Sequence, residues 1–281
     1  MSPLPRRPLG LVLAGGGALG AWQAGALAEL ERAGVVFDAV LGFSAGAING
    51  AAYALGLVER AVSLWPAVAR PFRLAPRFGP FSLCSFEPLR EVLGFARDDE
   101  AARRGARCRL LVASAHADRC RAIYAEFDPA GRWDGPLERH LLASCAIPSL
   151  LPPVAVEFRG MKVDLIDGGV PTAKPFSFAA LGACADVLVL EMARPDEAAR
   201  PIHWNPWIAA DQRGRRASRR LIDEGAAGLA RSDDPPRLLR LHPSRELTHV
   251  MLDFSPRKAR QALALGAADA RAFLAAGTET R

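Results

Sequence analysis

Three short stretches carry residue types that could do chemistry together. The first is Gly15-Gly16-Gly17, followed by Gly20, at the end of the apolar run "LGLVLAGGGALGAW". The second is Gly42-Phe43-Ser44-Ala45-Gly46, a Gly-x-Ser-x-Gly pattern. The third is Asp167-Gly168-Gly169 in "LIDGG". A serine between two glycines suits a sharp strand-to-helix turn that lifts its hydroxyl clear of a sheet and sets it at a helix N-terminus. A run of glycines lets backbone N–H groups converge on one negative charge. An aspartate at the end of an apolar strand, on a Gly-Gly turn, could take a proton from the serine. Its ordinary pKa of about 3.9 makes it a poor base at neutral pH, so apolar surroundings must raise it.

Gly15, Gly17 and Gly20 also fit the Gly-x-Gly-x-x-Gly pattern of dinucleotide-binding loops. That use requires a carboxylate at the end of the second strand to hold a ribose. Asp38 lies near the start of that strand, and the strand ends in "GFSAG". The loop therefore reads as a cradle for a transient oxyanion beside Ser44 rather than for a pyrophosphate.

The elements around these stretches are those of an α/β protein. Leu9–Ala14 and Val35–Leu41 read as buried strands, Ala18–Ala33 as a helix with Gly34 after it, and Ala47–Leu57 as a small-residue helix. Strand and helix alternating in this way predict a parallel sheet with crossovers. Strands follow at Arg109–Ala115, Ala122–Phe127, Val163–Ile166 and Asp186–Met192, the last of the series, with a short helix at Leu137–Ala143. Residues 194 to 206 read as a surface crossing. Helices over Ile208–Ala230 and from Pro256, with Ser255 before it and Gly277 at its end, complete the chain.

The 281 residues, half of them hydrophobic, suffice for one large domain. No apolar stretch approaches the roughly eighteen residues of a membrane span, and the N-terminal run is too short for a signal segment. Five scattered cysteines without a C-x-x-C pair fit a reduced, cytoplasmic protein. The net charge is +6, concentrated in "DQRGRRASRR" at 211 to 220. With no nucleic-acid module present, that helix is either a solvated face or a contact for anionic lipid. Nucleic acid is excluded as a partner.

Five histidines offer an alternative base for the serine, and His242 and His249 stand in the right order for a Ser-Asp-His triad. The serine comes after a single preceding strand, however, and no histidine sits in a glycine-rich turn. The ordered set Gly-Gly-Gly-x-x-Gly, Gly-x-Ser-x-Gly and Asp-Gly-Gly resembles the patatin-like phospholipases from about Leu11 to Ala180, including "ASCAIPSLLPPV" ahead of the aspartate. The resemblance implies a three-layer α/β/α fold with a mostly parallel sheet. It implies Ser44 as nucleophile, Asp167 as base without histidine, and Gly15 to Gly17 as oxyanion donors, with Gly20, Gly42, Gly46, Gly168 and Gly169 shaping the turns. It implies a lipid or ester substrate and no cofactor or metal. Many relatives carry a basic residue between the third and last glycines of the first motif, where this chain has Ala18-Leu19.

On this reading residues 11–180 form the catalytic core and 181–281 complete the same domain. Two further expectations concern lipid contact. Phe72, Phe78, Phe81 and Phe86 would line an acyl channel, rest on a bilayer or pack in the core. Trp204 and Trp207 would favour a membrane interface. The rival readings are a binding protein on a hydrolase fold, which needs neither Ser44 nor Asp167, and a Ser-His-Asp esterase.

Overall fold

The computed structural model describes residues 5–68, 73–74, 84–119, 121–170, 176–248 and 250–278. The described residues form ten strands: β1 Leu9–Leu13, β2 Ala39–Phe43, β3 Arg73–Leu74, β4 Cys84–Ser85, β5 Arg109–His116, β6 Ala122–Phe127, β7 Val154–Phe158, β8 Met161–Asp167, β9 Asp186–Leu190 and β10 Arg237–Leu241. The helices are α1 Gly20–Arg32, α2 Ala45–Ala54, α3 Val58–Ala67, α4 Glu87–Val92, α5 Asp99–Gly105, α6 Leu137–Ser144, α7 Pro206–Leu229 and α8 Pro256–Thr278.

The main sheet runs β10-β9-β1-β2-β5-β8-β7, with β6 also on β5. The five strands from β10 to β5 are mutually parallel. β6, β7 and β8 join antiparallel. Alternating residues separate two cores. Leu11, Leu13, Val40, Val112 and Leu188 pack with α1, α2 and α8 on one face. Val12, Leu41, Phe43, Leu111 and Val189 pack on the other with Leu221 and Ile222 of α7. A strand buried on both faces reads as continuous apolar sequence, as β1 and β9 do. The result is the expected three-layer α/β/α arrangement.

α1 and α8 cross with almost no side chain between them. A Cβ on Gly25 would lie 2.1 Å from the Leu263 carbonyl oxygen, and one on Gly266 would lie 2.0 Å from that of Trp22. The crossing is locked by Trp22 Nε1–H donating to Asp269 at 2.8 Å. Among the described residues, no helix is long and apolar enough to cross a membrane.

Several boundaries differ from the sequence expectation for physical reasons. The helix expected from Ala18 begins with a 3-10 turn at Gly17–Leu19, where the Leu19 N–H donates to the Gly16 carbonyl and the Ala18 N–H to that of Met251. The second strand starts later and includes Phe43, which places Ser44 at the turn itself. The series of strands does not end at Met192. β10 ("RLLRL") pairs with β9 as an edge strand, and its arginines bind Asp186 and Glu191. β7 was hidden behind Pro152-Pro153 and runs antiparallel to β8. α8 continues through Gly277 to Thr278. Phe72, Phe78 and Phe81 lie outside the described residues; Phe86 packs half-buried against the first core.

Candidate active site

Sheet register explains why the three motifs meet. Leu13 of β1 pairs with Gly42 of β2, Phe43 pairs with Ala113 of β5, and the next β5 residue, Ser114, pairs with Asp167 of β8. The glycine loop, Ser44 and Asp167 therefore leave the sheet at one level, across three adjacent strand junctions. β8 arrives from the opposite direction, so its C-terminus reaches the carboxyl edge of the parallel strands.

Ser44 has φ 54° and ψ −129°, a conformation that L residues rarely adopt. Such backbone costs about 1–3 kcal/mol and persists only when its surroundings enforce it. Here they do. The Ser44 N–H donates to Ser144 Oγ at 2.9 Å, and that hydroxyl donates to the Ala113 carbonyl at 2.6 Å. The flanking glycines follow from the same turn: a Cβ on Gly42 would sit 2.5 Å from the Gly46 carbonyl oxygen, and one on Gly46 would sit 2.2 Å from that of Leu13. The turn opens directly into α2, whose N-terminus points at the hydroxyl.

Gly15, Gly16 and Gly17 form the neighbouring loop. Among the described residues, none of their N–H groups gives a hydrogen bond. Side chains would fill the space. A Cβ on Gly15 would meet the Phe43 ring at 2.7 Å, and one on Gly17 would meet the Met251 carbonyl oxygen at 2.2 Å in addition to its φ of +54°. The loop is held from three sides. Ser218 Oγ–H of α7 donates to the Gly15 carbonyl at 2.7 Å. Gln23 Nε2 donates to the Ala14 and Leu190 carbonyls. Asn49 joins Gln23 to Trp65 Nε1.

Asp167 sits on a tight turn. Its Oδ1 accepts the Gly169 N–H at 2.6 Å, and its own N–H donates to the Ala146 carbonyl. Gly168 is required because a Cβ would lie 2.3 Å from the Ala113 carbonyl oxygen. Only 5 % of Asp167 is exposed, and its Oδ2 is buried without a hydrogen bond among the described residues. Burial pushes the carboxyl up to about 6, with the Gly169 N–H and the Ser44 hydroxyl pulling the other way.

Ser44 and Asp167 line one cleft of about 160 Å³ together with the glycine loop, Pro148, Ser218 and Met251. On its other side Ser44 borders a narrow apolar cavity of about 60 Å³ between α2, α3 and α4, lined by Ile48, Leu64, Leu89 and Phe95 among others. Cys145 also lines that cavity; burial raises its thiol well above the ordinary value, keeping it protonated and unreactive beside Ser44.

The family is decided by sequence. The patatin-like phospholipase model matches residues 11–180, the span that holds the glycine loop, Ser44 and Asp167. The chain belongs to the patatin-like phospholipase family. A lysophospholipase of Aspergillus terreus is 44 % identical over 73 residues, 26 % of this chain and 4 % of that protein. An uncharacterized NTE family protein of Mycobacterium bovis is 57 % identical over 51 residues, 18 % of this chain and 9 % of that protein. The patatin-like chain thus spans under a tenth of the length of these curated relatives. Among solved structures, VipD from Legionella pneumophila aligns over 97 % of this chain and 67 % of its own, with a TM-score of 0.46 and 13 % identity. The type III effector ExoU aligns over 97 % and 54 %, with a TM-score of 0.45 and 16 % identity.

The histidines fare differently in this patatin-like site. His242 is half-buried and its Nδ1 contacts the Pro243 carbonyl; it does not line the Ser44 cleft. His249 lies outside the described residues. His140 is fully buried between Phe127 and Phe158, where burial lowers it to about 4 and holds it neutral. Asp38, considered above for a ribose, instead binds Arg7 and the Leu9 N–H at the opposite edge of the sheet.

Sequence reasoning missed Ser144, Ser218, Gln23 and Asn49, the side chains that fix the loop and the elbow. Gln23 and Asn49 were visible as polar residues inside otherwise apolar helices, both fully buried. Ser144 and Ser218 carry no comparable signal, since a lone serine suits any surface.

Proposed function

We propose that this patatin-like protein is a serine lipid acyl hydrolase that cleaves carboxylic esters through an acyl-Ser44 intermediate. The observation that carries the reading is the shared cleft. A serine in a strained turn faces a buried aspartate with an unbonded oxygen and a loop of unbonded N–H groups, and an apolar cavity adjoins it.

The mechanism follows from these positions. Asp167 Oδ2 takes the Ser44 proton as Oγ bonds to the ester carbonyl carbon. The carbonyl π electrons move to oxygen, and the N–H groups of the Gly15–Gly17 loop hold that charge. The tetrahedral adduct collapses, the alkoxide leaves, and it takes the proton from Asp167. Water then gives a proton to Asp167 and attacks the acyl-serine. Collapse returns the proton to Ser44 Oγ and releases a fatty acid. No step calls for a metal or organic cofactor. The apolar cavity beside Ser44 receives the acyl chain, so a lipid ester is favoured over a polar one.

Residues 11–180 carry this chemistry. Residues 181–281 complete the same unit: β9 pairs with β1, α7 supplies Ser218, and α8 packs on α1. A binding protein on a hydrolase fold would have no use for a strained serine beside an underbonded carboxylate.

Turnover of a phospholipid or lysophospholipid, quenched in acid and followed by peptide mass spectrometry, tests the reading. An acyl mass on the Ser44 peptide is expected. Fatty-acid release with no acyl adduct at Ser44, in a quench fast enough to trap one, would remove the covalent mechanism.

A further inference from the structure

Exposed apolar side chains gather on the elements that flank the cleft. Among the described residues, eight large hydrophobic side chains are exposed, and six fall in two short segments: Ile202, Trp204, Trp207 and Ile208, with Val250 and Leu252. Trp204 is 86 % exposed and Trp207 82 %. The segments are tied together and to the site. The Met251 N–H donates to Asp211 Oδ1 at 2.6 Å, fastening 250–252 onto the start of α7. Ile208 and Val250 line one hollow beside α7. Leu252 borders both the catalytic cleft and the apolar cavity. Gly214 of α7 faces the cleft, and Trp207 stands seven residues earlier on that helix, about 10 Å along its axis.

The tryptophans are presented by fixed structure. Asn205 Oδ1 caps α7 by accepting the Trp207 N–H at 2.9 Å, and the His203 ring stacks on Trp204 with centroids 5.4 Å apart. Two indoles held in water forgo a large burial, and grouped apolar exposure of this kind marks a contact surface. The charge beside them has a sign. Arg200, Arg215, Arg219 and Arg220 each have a carboxylate partner. The exposed Arg213, and Arg216, which lines the hollow with Ile208 and Val250, have none among the described residues.

We propose that this patch docks the protein on an anionic lipid surface. Trp204 and Trp207 enter the interfacial zone, where indole is most stable, and Arg213 and Arg216 meet lipid phosphates. Docked this way, the mouth of the Ser44 cleft lies against the lipid that supplies its substrate. The inference builds on the lipid-hydrolase reading above and names the surface from which that substrate is drawn.

The test separates the two. The full chain carrying Ser44→Ala is mixed with phosphatidylcholine vesicles, with or without phosphatidylglycerol. Binding is read by co-sedimentation and by tryptophan emission. Sedimentation with the anionic vesicles and a blue shift are expected. Adding Trp204→Ala and Trp207→Ala should weaken binding about tenfold or more, and Arg213→Gln with Arg216→Gln should remove its salt sensitivity. With Ser44 present, the double tryptophan variant should hydrolyse a soluble short-chain ester at the parent rate and lose activity only on vesicles. Undiminished sedimentation of the folded double tryptophan variant overturns the proposal, as does equal binding to vesicles without anionic lipid. Tryptophan-dependent binding by a protein that hydrolyses no ester would instead overturn the hydrolase reading and leave the docking surface standing.

Discussion

The two edges of the central sheet each bury an aspartate, and they treat it in opposite ways. At the amino edge, Asp186 begins β9 and is fully buried. Arg6 and Arg237 both bond to it, and Arg237 Nε adds a contact at 3.2 Å. Burial works to raise its carboxyl, but the hydrogen bonds from Arg237 and Arg6 outweigh it and hold the group below the ordinary value. At the carboxyl edge, Asp167 is also buried, and among the described residues no arginine or lysine bonds to it; Oδ1 accepts the Gly169 N–H and Oδ2 is left without a hydrogen bond, with the Ser44 hydroxyl beside the carboxyl. The same side chain is a fastening at one edge and, on the proposed mechanism, a base at the other. The difference lies in whether its second oxygen is satisfied.

The largest effect expected from this contrast is on turnover. Ser44→Ala should lower kcat about 10³-fold or more, and Asp167→Asn should lower it by roughly 10²–10⁴-fold, the range of a lost general base. Asp186→Asn should leave kcat near the parent value. Steady-state kinetics on a soluble ester reads all three, with circular dichroism to verify folding. A loss at Asp186 equal to that at Asp167 would break the contrast.

Stability should show the reverse order. Asp186→Asn leaves Arg237 without its charge partner, and chemical denaturation should report a loss of about 2–3 kcal/mol, below the figure for a fully buried pair because Arg6 is half exposed. Asp167→Asn should stabilise the fold at neutral pH. A carboxyl raised from 3.8 to about 6 favours the folded state when protonated. That contribution is complete below the unfolded value and is lost as pH rises through about 6. The advantage of the asparagine should therefore grow between pH about 4 and 6 and level off near 3 kcal/mol. For Asp186 the lowered value gives the opposite sign: its stabilisation is present above the ordinary carboxylate range and is lost as pH falls through the folded pKa.

The same titration should appear in catalysis. The proposed base must be ionised, so kcat/KM should rise about tenfold per pH unit up to about 6 and flatten above it. A profile with a midpoint unchanged in Asp167→Asn would assign that titration to another group. The smallest expected effect is at Ser218→Ala. It frees the Gly15 carbonyl but removes no reacting atom, so kcat should fall by about threefold with KM nearly unchanged.

How much of this was legible in the sequence varies with the kind of constraint. Ser44, Asp167 and the glycines could be read because a turn too tight for a Cβ leaves only glycine, as at Gly42, Gly46 and Gly168. The parallel half of the sheet could be read because strands buried on both faces are continuously apolar. β10 could not, since an edge strand that carries Arg237 and Arg240 looks like a loop until Asp186 and Glu191 are known to face it. The antiparallel entry of β8 was also invisible, because strand direction is set by pairing with β5 and not by residue type. Ser144 and Ser218 hold the elbow and the loop through contacts 100 and 203 residues apart, which no local pattern encodes. Trp204 and Trp207 stood out in the sequence as a hint of an interface; the fold shows them exposed at and just before the start of α7, the helix whose Gly214 lines the cleft.

Labelling with a fluorophosphonate probe tests the central claim most directly, because the probe bonds only to an activated serine. The rate should be read for the parent protein and for Ser44→Ala, Asp167→Asn, Asp186→Asn and His249→Ala. The account predicts labelling of the parent, Asp186→Asn and His249→Ala at similar rates, none of Ser44→Ala, and labelling of Asp167→Asn slowed by about 10² or more. Labelling of folded Asp167→Asn at the parent rate, with loss in His249→Ala, would contradict it.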